Sequence, residues 1–533
     1  MVVDDRFNRQ ELIKGWNQNS LKKTRVAIIG SGPLAESTSA ALTALGIGCI
    51  EVYDNRIVEK NKKENLGREG FLTFTAREKD SRTKSIEHIL SKINPTAQIT
   101  GINLSLEKTN LLNILGTPDL IIDTTNSPKS KQQVLDYSQT KRIKVISASA
   151  NNLTGKFFIN CGESFKNEYL LQEYSDDTQG NTISGILGGI ITEEVRKIVM
   201  PLEQDAKLID QLEYSLDSPN RFNSSKKQSE ESKKSKKNKK SKQNKKSEQN
   251  KKNRTLNNNN YRSSNISLLN KKVLIIGAGA LGNFAALNIA LEGVGHIDIM
   301  DHDDIESTNL NRQILFYDAV GKMKATALAE RISEIVNPKN IYGKYENKNL
   351  INIGGIIDKL DEESTYFEEN KPDLILDCVD SFAVRAIINY YAVRHQIPLV
   401  SGGTNPRSGQ VSIYVPGKSS CLDCKLGVEE ALAEQRAAAS CRYAPDPSVI
   451  MTNQIVGNMI VGEAVKILTN DITHAEDYVK KILKYDSTSA QRGGLIGSKY
   501  PCDCTKPEVN QWLKNVDKKA PKRKNTVSKD ANE

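Results

Sequence analysis

Short apolar blocks recur along the chain, and they recur as two matching sets. KTRVAIIGSGPLAESTSAALTALGIGCIEVYD (23–54) lays over KKVLIIGAGALGNFAALNIALEGVGHIDIMD (271–301) with one shift. In each, a short apolar run closes on a glycine turn and a longer helical pattern follows, which predicts a strand, a tight turn and a helix. PDLIIDTTNS (118–127) matches PDLILDCVDS (372–381) without a gap, and VISASANNLTGK (145–156) matches LVSGGTNPRSGQ (399–410) at the same offset of 254. A late helix recurs as GGIITEEVRKI (188–198) and GNMIVGEAVKI (457–467). The expected fold class is therefore α/β: two tandem Rossmann-like, doubly wound, mainly parallel sheets that pack as a pseudo-dimer within one chain.

Between the halves the pattern stops. Residues 223–260 hold KKSKKNKKSKQNKKSEQNKK and then NNNN, which cannot bury a core. The expected organisation is a first domain at 1–213, a disordered Lys/Asn-rich linker at 214–264, a second domain at 265–505 and a basic tail at 506–533. The linker also accounts for the charge. The 533 residues carry a formal +10, but residues 226–254 alone hold 14 basic side chains against three Glu, which leaves the remainder near −1. A nucleic-acid-binding fold is thus not implied; the Lys run reads as a solvated spacer or as an arm for acidic partners or RNA. Residues 273–291 lack charge, yet Gly277, Gly279, Gly282, Asn283 and Asn288 interrupt them, so a membrane span is not expected. The opening MVVDDRFNRQ has no apolar core of a leader peptide, and a soluble cytoplasmic protein is expected.

In the second half, Gly277-Ala278-Gly279-Ala280-Leu281-Gly282 joins strand to helix, where glycines let the backbone approach a phosphate and the helix start supplies N–H donors. Asp301 ends the next strand, placed to accept from ribose hydroxyls. To this point NAD serves as well as ATP. Beyond it stand Arg312 and Lys324, cations suited to a triphosphate, with Asp303 and Asp380, carboxylates suited to Mg²⁺. A dinucleotide site has no use for that combination, and no hydride-handling residue is evident.

The motifs GAGALG, D-x-D-x-I-x-x-x-NLNRQ, KMKA and LDCVDS resemble the adenylation (ThiF/MoeB-type) domain of the ubiquitin-activating enzyme superfamily, over roughly 5–213 and 265–505. The resemblance implies ATP as substrate, Asp301 on its ribose, and Asn309, Arg312, Gln313 and Lys324 on its phosphates. It implies Mg²⁺ on Asp380 with Asp303 assisting. The first copy departs from this pattern: Ala35 stands for Gly282, Arg56 for Asp303 and Asn126 for Asp380, and counting back from the shared Asn-Pro sets Ser81 against Lys324. It keeps Arg6-Phe7-Asn8-Arg9-Gln10, similar to the family's Arg-Gln element, whose arginine reaches from one half into the other's ATP site. The expected division is that the first half lends Arg9 and the second holds the nucleotide, as in fused two-repeat ubiquitin-activating enzymes of a compact, archaeal-like type.

Cys421-Leu-Asp-Cys424 and Cys502-Asp-Cys504 offer four thiolates, and the family holds a structural zinc at these places with two Cys-x-x-Cys pairs; here the second pair is one residue short. Cys441 precedes the last helix of the second half, where compact family members carry the cysteine that accepts the modifier as a thioester; a zinc ligand or an inert thiol are the other readings. The resemblance implies a ubiquitin-like protein ending in Gly-Gly and a conjugating enzyme as partners. Three rivals remain: an adenylating enzyme for a sulfur carrier in tRNA thiolation or cofactor synthesis, an ATP-dependent tRNA-modifying relative, and a non-catalytic scaffold.

Overall fold

The computed structural model describes residues 5–59, 70–104, 114–159, 180–223, 268–337, 351–361, 364–427, 446–469 and 481–497. Two eight-stranded sheets have the same order, with the first three strands reversed and the rest in sequence. The first sheet comprises β1 (Arg25–Ile29), β2 (Cys49–Asp54), β3 (Gln98–Asn103), β4 (Leu120–Asp123), β5 (Lys144–Ala150), β6 (Thr154–Ile159), β7 (Gln211–Ser215) and β8 (Phe222–Asn223). The second comprises β9 (Lys272–Ile276), β10 (His296–Met300), β11 (Asn352–Ile356), β12 (Leu374–Asp377), β13 (Leu399–Thr404), β14 (Ser408–Tyr414), β15 (Ile482–Asp486) and β16 (Gly493–Ile496). In each sheet the first five strands are parallel and the last three antiparallel. The repeat read from the apolar blocks is thus a repeat of topology. Its central strands β4 and β12 are buried throughout, as strands covered on both faces must be.

The repeat extends to caps. Ser127 accepts from the Ser130 N–H at the head of helix Pro128–Lys141, and Ser381 accepts from the Val384 N–H at the head of helix Phe382–Arg394.

The halves meet through helices Asn181–Val199 and Ile450–Leu468, buried along nearly their whole length. Small residues let the two backbones approach: a Cβ on Gly185 would stand 2.3 Å from Asn458 Oδ1, and one on Gly189 would stand 2.6 Å from Ile455 Cγ1. Gln454 Nε2 donates across to the Gly185 carbonyl at 3.0 Å, and one apolar core runs through both halves. Two fully buried ion pairs flank the helices in pseudo-symmetric positions: Arg221 Nε to Glu463 Oε1 and Arg492 Nε to Glu194 Oε1, each at 2.8 Å. No helix among the described residues is long and apolar enough to cross a membrane.

One expected boundary shifts. The first sheet continues past residue 213 through β8, because Tyr214, Leu216 and Phe222 are buried and Arg221 pairs with Glu463. The rest of the expected linker and the tail lie outside the described residues.

Candidate active site

In the second sheet the strand order reverses between β9 and β12, and a crevice at the C-terminal ends of such strands is where α/β sheets bind ligands. Gly277 has φ +96°, and a Cβ on it would meet the Cys378 carbonyl oxygen at 2.9 Å. A Cβ on Gly282 would stand 2.0 Å from the Gly277 carbonyl oxygen, so helix Ala280–Leu291 can lie against the turn only with glycine there. Gly279 is that helix's N-cap and offers no side-chain cap, which leaves its first N–H groups to a ligand. Asp301 at the end of β10 fastens the turn: its Oδ2 accepts from the Ala278 N–H at 2.6 Å and its Oδ1 from the Asp303 N–H at 2.8 Å. Both oxygens keep lone pairs for hydroxyl donors.

The residues expected on the phosphates gather around this turn. Lys324, at the start of helix Lys324–Val336, donates Nζ to Asp303 Oδ2 at 2.8 Å. That bond holds the Asp303 carboxyl below its ordinary range, with partial burial opposing and His302 adding to the fall. Asn309 is buried and caps the Ser307–Asn309 turn, its Oδ1 accepting from the Glu306 N–H. Arg312 is nearly buried, and Nη1 donates to the Thr308 carbonyl and to Asn311 Oδ1, both at 2.8 Å. Gln313 is buried with Oε1 lacking a hydrogen-bond partner, and its Nε2 lies 4.0 Å from where a Gly279 Cβ would stand. A ligand donor there would recover the cost of that unpaired atom, about 1–3 kcal/mol. Asp380, just beyond β12, is exposed, and no described residue hydrogen-bonds its carboxylate. Beneath it, buried Asp377 is fixed by Arg385 Nε at 2.8 Å and by the Ser401 hydroxyl at 2.5 Å.

Arg9 arrives from the other half. Its carbonyl accepts from the Ser448 N–H at 3.1 Å and its Nη1 lies 3.4 Å from the Asp446 carbonyl. Burial pushes the Arg312 guanidinium down to about 10; Arg9 adds to the fall while Asp380 and Glu306 oppose it. Arg9, Arg312 and Asp380 therefore share one electrostatic neighbourhood, and Arg312 remains a cation at neutral pH.

The corresponding place in the first half is closed by its own side chains. Asp54, the counterpart of Asp301, is capped by Arg56 Nε at 2.9 Å and by the Ser31 hydroxyl at 2.8 Å. Burial pushes the Asp54 carboxyl up, but Arg56 and the hydrogen bonds outweigh it and hold it low. Glu36, fully buried, pairs with Arg82 Nη2 at 3.0 Å, while Arg82 Nε donates to the Ser31 carbonyl at 3.0 Å. This corrects the match of Lys324 with Ser81. The Arg82 N–H bonds the Arg56 carbonyl as the Lys324 N–H bonds the Asp303 carbonyl, and bridge Ile57–Ser81 repeats bridge Asp304–Met323. The counterpart of Lys324 is Arg82, displaced in the count because helix Arg82–Ile93 is one residue shorter than Lys324–Val336. The cation is retained, but turned inward. The matches of Arg56 with Asp303 and Asn126 with Asp380 hold: Arg56 and Asp303 each donate their N–H to the strand-end aspartate, and Lys131 and Arg385 bind Asp123 and Asp377 at the same spacing.

Cys441, Cys502 and Cys504 lie outside the described residues. Of the four expected ligands, Cys421 and Cys424 lie among the described residues, Cys421 buried at the head of helix Leu422–Leu426 and Cys424 within that helix. Lys425 beside them donates to the Ile413 carbonyl and is pushed down to about 8 by burial, with the Cys421 sulfur opposing.

Residues 7–243 and 255–506 both match the ThiF family. Over 228 residues the chain is 30% identical to the adenylyltransferase and sulfurtransferase UBA4 of Yarrowia lipolytica, covering 42% of this chain and 52% of that one. Over 192 residues it is 34% identical to the NEDD8-activating enzyme E1 catalytic subunit of Dictyostelium discoideum, covering 33% and 40%. The chain thus spans about half the length of the curated relatives it matches. A solved structure of E. coli MccB with ATP is similar over 45% of this chain and 68% of that chain, with a TM-score of 0.36 and 22% identity. With two ThiF repeats, at residues 7–243 and 255–506, the chain belongs to the ThiF family and, through it, to the ubiquitin-activating enzyme superfamily.

Proposed function

We propose that the second half adenylates the C-terminal glycine of a ubiquitin-like protein and that Cys441 then takes the acyl group as a thioester for transfer to a conjugating enzyme. The observation that carries this reading is the asymmetry of the halves. Arg9 of the first half stands within electrostatic reach of Arg312 and Asp380 of the second, whereas in the first half the counterpart of Lys324, Arg82, is paired with buried Glu36. A modifier carboxylate oxygen attacks the α-phosphorus, the bond from that phosphorus to the bridging oxygen breaks, and pyrophosphate leaves. Lys324, Arg312 and Arg9 balance the charge that develops on the phosphates. Asp301 positions the ribose and the Gly279 turn seats the phosphates. Magnesium held by Asp380, with Asp303 assisting, would neutralise phosphate charge. The Cys441 thiolate then attacks the acyl carbon and AMP leaves. Only a slim Gly-Gly tail can thread to a buried α-phosphate, which sets the partner class.

A second reading, adenylation of a sulfur carrier with no thioester on Cys441, draws support from the likeness to UBA4. Intact mass without reductant separates the two, after mixing with MgATP and a Gly-Gly-ending protein. Wild type is expected to gain a thiol-labile adduct that Cys441→Ala lacks. Pyrophosphate release with no adduct on either protein gives the second reading the lead. Metal analysis of the purified chain checks the four-cysteine site: one zinc per chain supports Cys421, Cys424, Cys502 and Cys504 as ligands, and none removes them.

A further inference from the structure

Among the described residues, the first half meets the second half's candidate site through Arg9 and through the residue that follows it. Gln10, the next residue, is fully buried, and its Oε1 accepts from Asn311 Nδ2 of the other half at 3.1 Å. Asn311, also fully buried, turns its Oδ1 to Arg312 Nη1 at 2.8 Å. On the near side, Gln10 Nε2 donates to the Leu45 carbonyl at 2.9 Å and to Gln18 Oε1 at 2.6 Å.

The chemistry of the ends fixes the direction of every amide between them. Arg312 can only donate, so Asn311 presents its oxygen to it and its nitrogen to Gln10 and, at 3.3 Å, to the Ser448 carbonyl. The Leu45 carbonyl can only accept, so Gln10 must present its nitrogen there and its oxygen to Asn311. Trp16 Nε1, another obligate donor, holds Gln18 Oε1 at 2.9 Å, so the Gln18 amide is set in the sense that Gln10 needs. Both requirements agree. Reversing either amide would set donor against donor or acceptor against acceptor in a buried place.

We propose that Gln10 is a positioning residue for the opposite half's nucleotide site, holding the Arg312 guanidinium through Asn311 from a rigid anchor in the first half. The proposal rests on the reading of Arg312 as a phosphate ligand. It gives the inactive half a second task besides lending Arg9, namely fixing the orientation of a cation that belongs to its neighbour.

The test uses the full chain and MgATP as the probe, with Kd from calorimetry, kcat from pyrophosphate exchange and Tm from thermal unfolding. Gln10→Met keeps the side chain's length and apolar stem but cuts the relay. It is expected to weaken MgATP binding at least threefold and to lower kcat about tenfold, roughly one buried hydrogen bond to a charged group. Asn311→Leu should do the same, and the double variant no more than either alone, because one relay is cut once or twice. Leu21→Ala, a fully buried core change in the same first-half segment, is expected to lower Tm at least as far while leaving Kd and kcat unchanged. Wild-type Kd and kcat in Gln10→Met, effects that Leu21→Ala reproduces, or additive effects with Asn311→Leu would overturn the proposal. A wild-type chain that binds MgATP yet exchanges no pyrophosphate would refute the adenylation reading, and the relay would then stand or fall on the Kd values. A wild-type chain that binds no MgATP would refute both.

Discussion

Asp380→Asn is expected to lower MgATP-dependent pyrophosphate exchange by about 10²–10³-fold, or roughly 3–4 kcal/mol of transition-state stabilisation, in a chain that folds normally. The substitution keeps the shape of the side chain and removes its charge, and the side chain is exposed, so little packing is disturbed. The loss expected is that of the carboxylate proposed to hold magnesium. In the first half Asn126 stands at this place, buried, and neither amide atom has a hydrogen-bond partner among the described residues. Exchange rates across a magnesium series would decide it. An Asp380→Asn chain within a few-fold of wild type at every concentration removes the metal role.

The largest effect on stability is expected at Glu463. Its side chain and that of Arg221 are both fully buried, and they meet in a two-point contact, Nε to Oε1 at 2.8 Å and Nη2 to Oε2 at 3.1 Å. Arg221 also gives Nη1 to the Leu216 and Ser218 carbonyls, at 2.7 and 2.8 Å. Glu463→Ala removes the carboxylate that makes this two-point contact with a buried guanidinium and should cost about 3–5 kcal/mol in denaturant unfolding. The double change Arg221→Met with Glu463→Met should recover most of the loss, because a buried pair gains little over apolar side chains of similar size. A loss under about 1 kcal/mol for Glu463→Ala would mean that water reaches the pair.

Topology was legible because it is written twice. Matching apolar blocks, two of them at the same offset of 254, give the repeat and its mainly parallel α/β class, and the blocks buried on both faces are the central strands. The site was legible where chemistry is local: the glycine turn, Asp301, and the cluster from Asn309 to Gln313 lie within contiguous motifs that the fold brings together. What depended on counting failed by one residue. The Asn-Pro marker lies at the far end of a helix whose length differs between the copies, so it pointed to Ser81, whereas the backbone bonds at the near end point to Arg82. What depended on distant partners was not legible at all. Arg221 stands just before a Lys-rich run and reads as one more solvated charge, yet it is fully buried against Glu463. Gln10 and Asn311 each sit inside a motif that drew notice for its arginine, and nothing local says that the two amides meet.

Arg9 has a further consequence because it is carried by the same polypeptide as the site it enters. In an enzyme assembled from two separate chains, the completed site disappears on dilution below their dissociation constant. Here the partner half is supplied at an effective concentration set by the connecting chain and by the buried helix pair, and it does not change when the sample is diluted. The rate per molecule should accordingly stay constant from micromolar to picomolar protein.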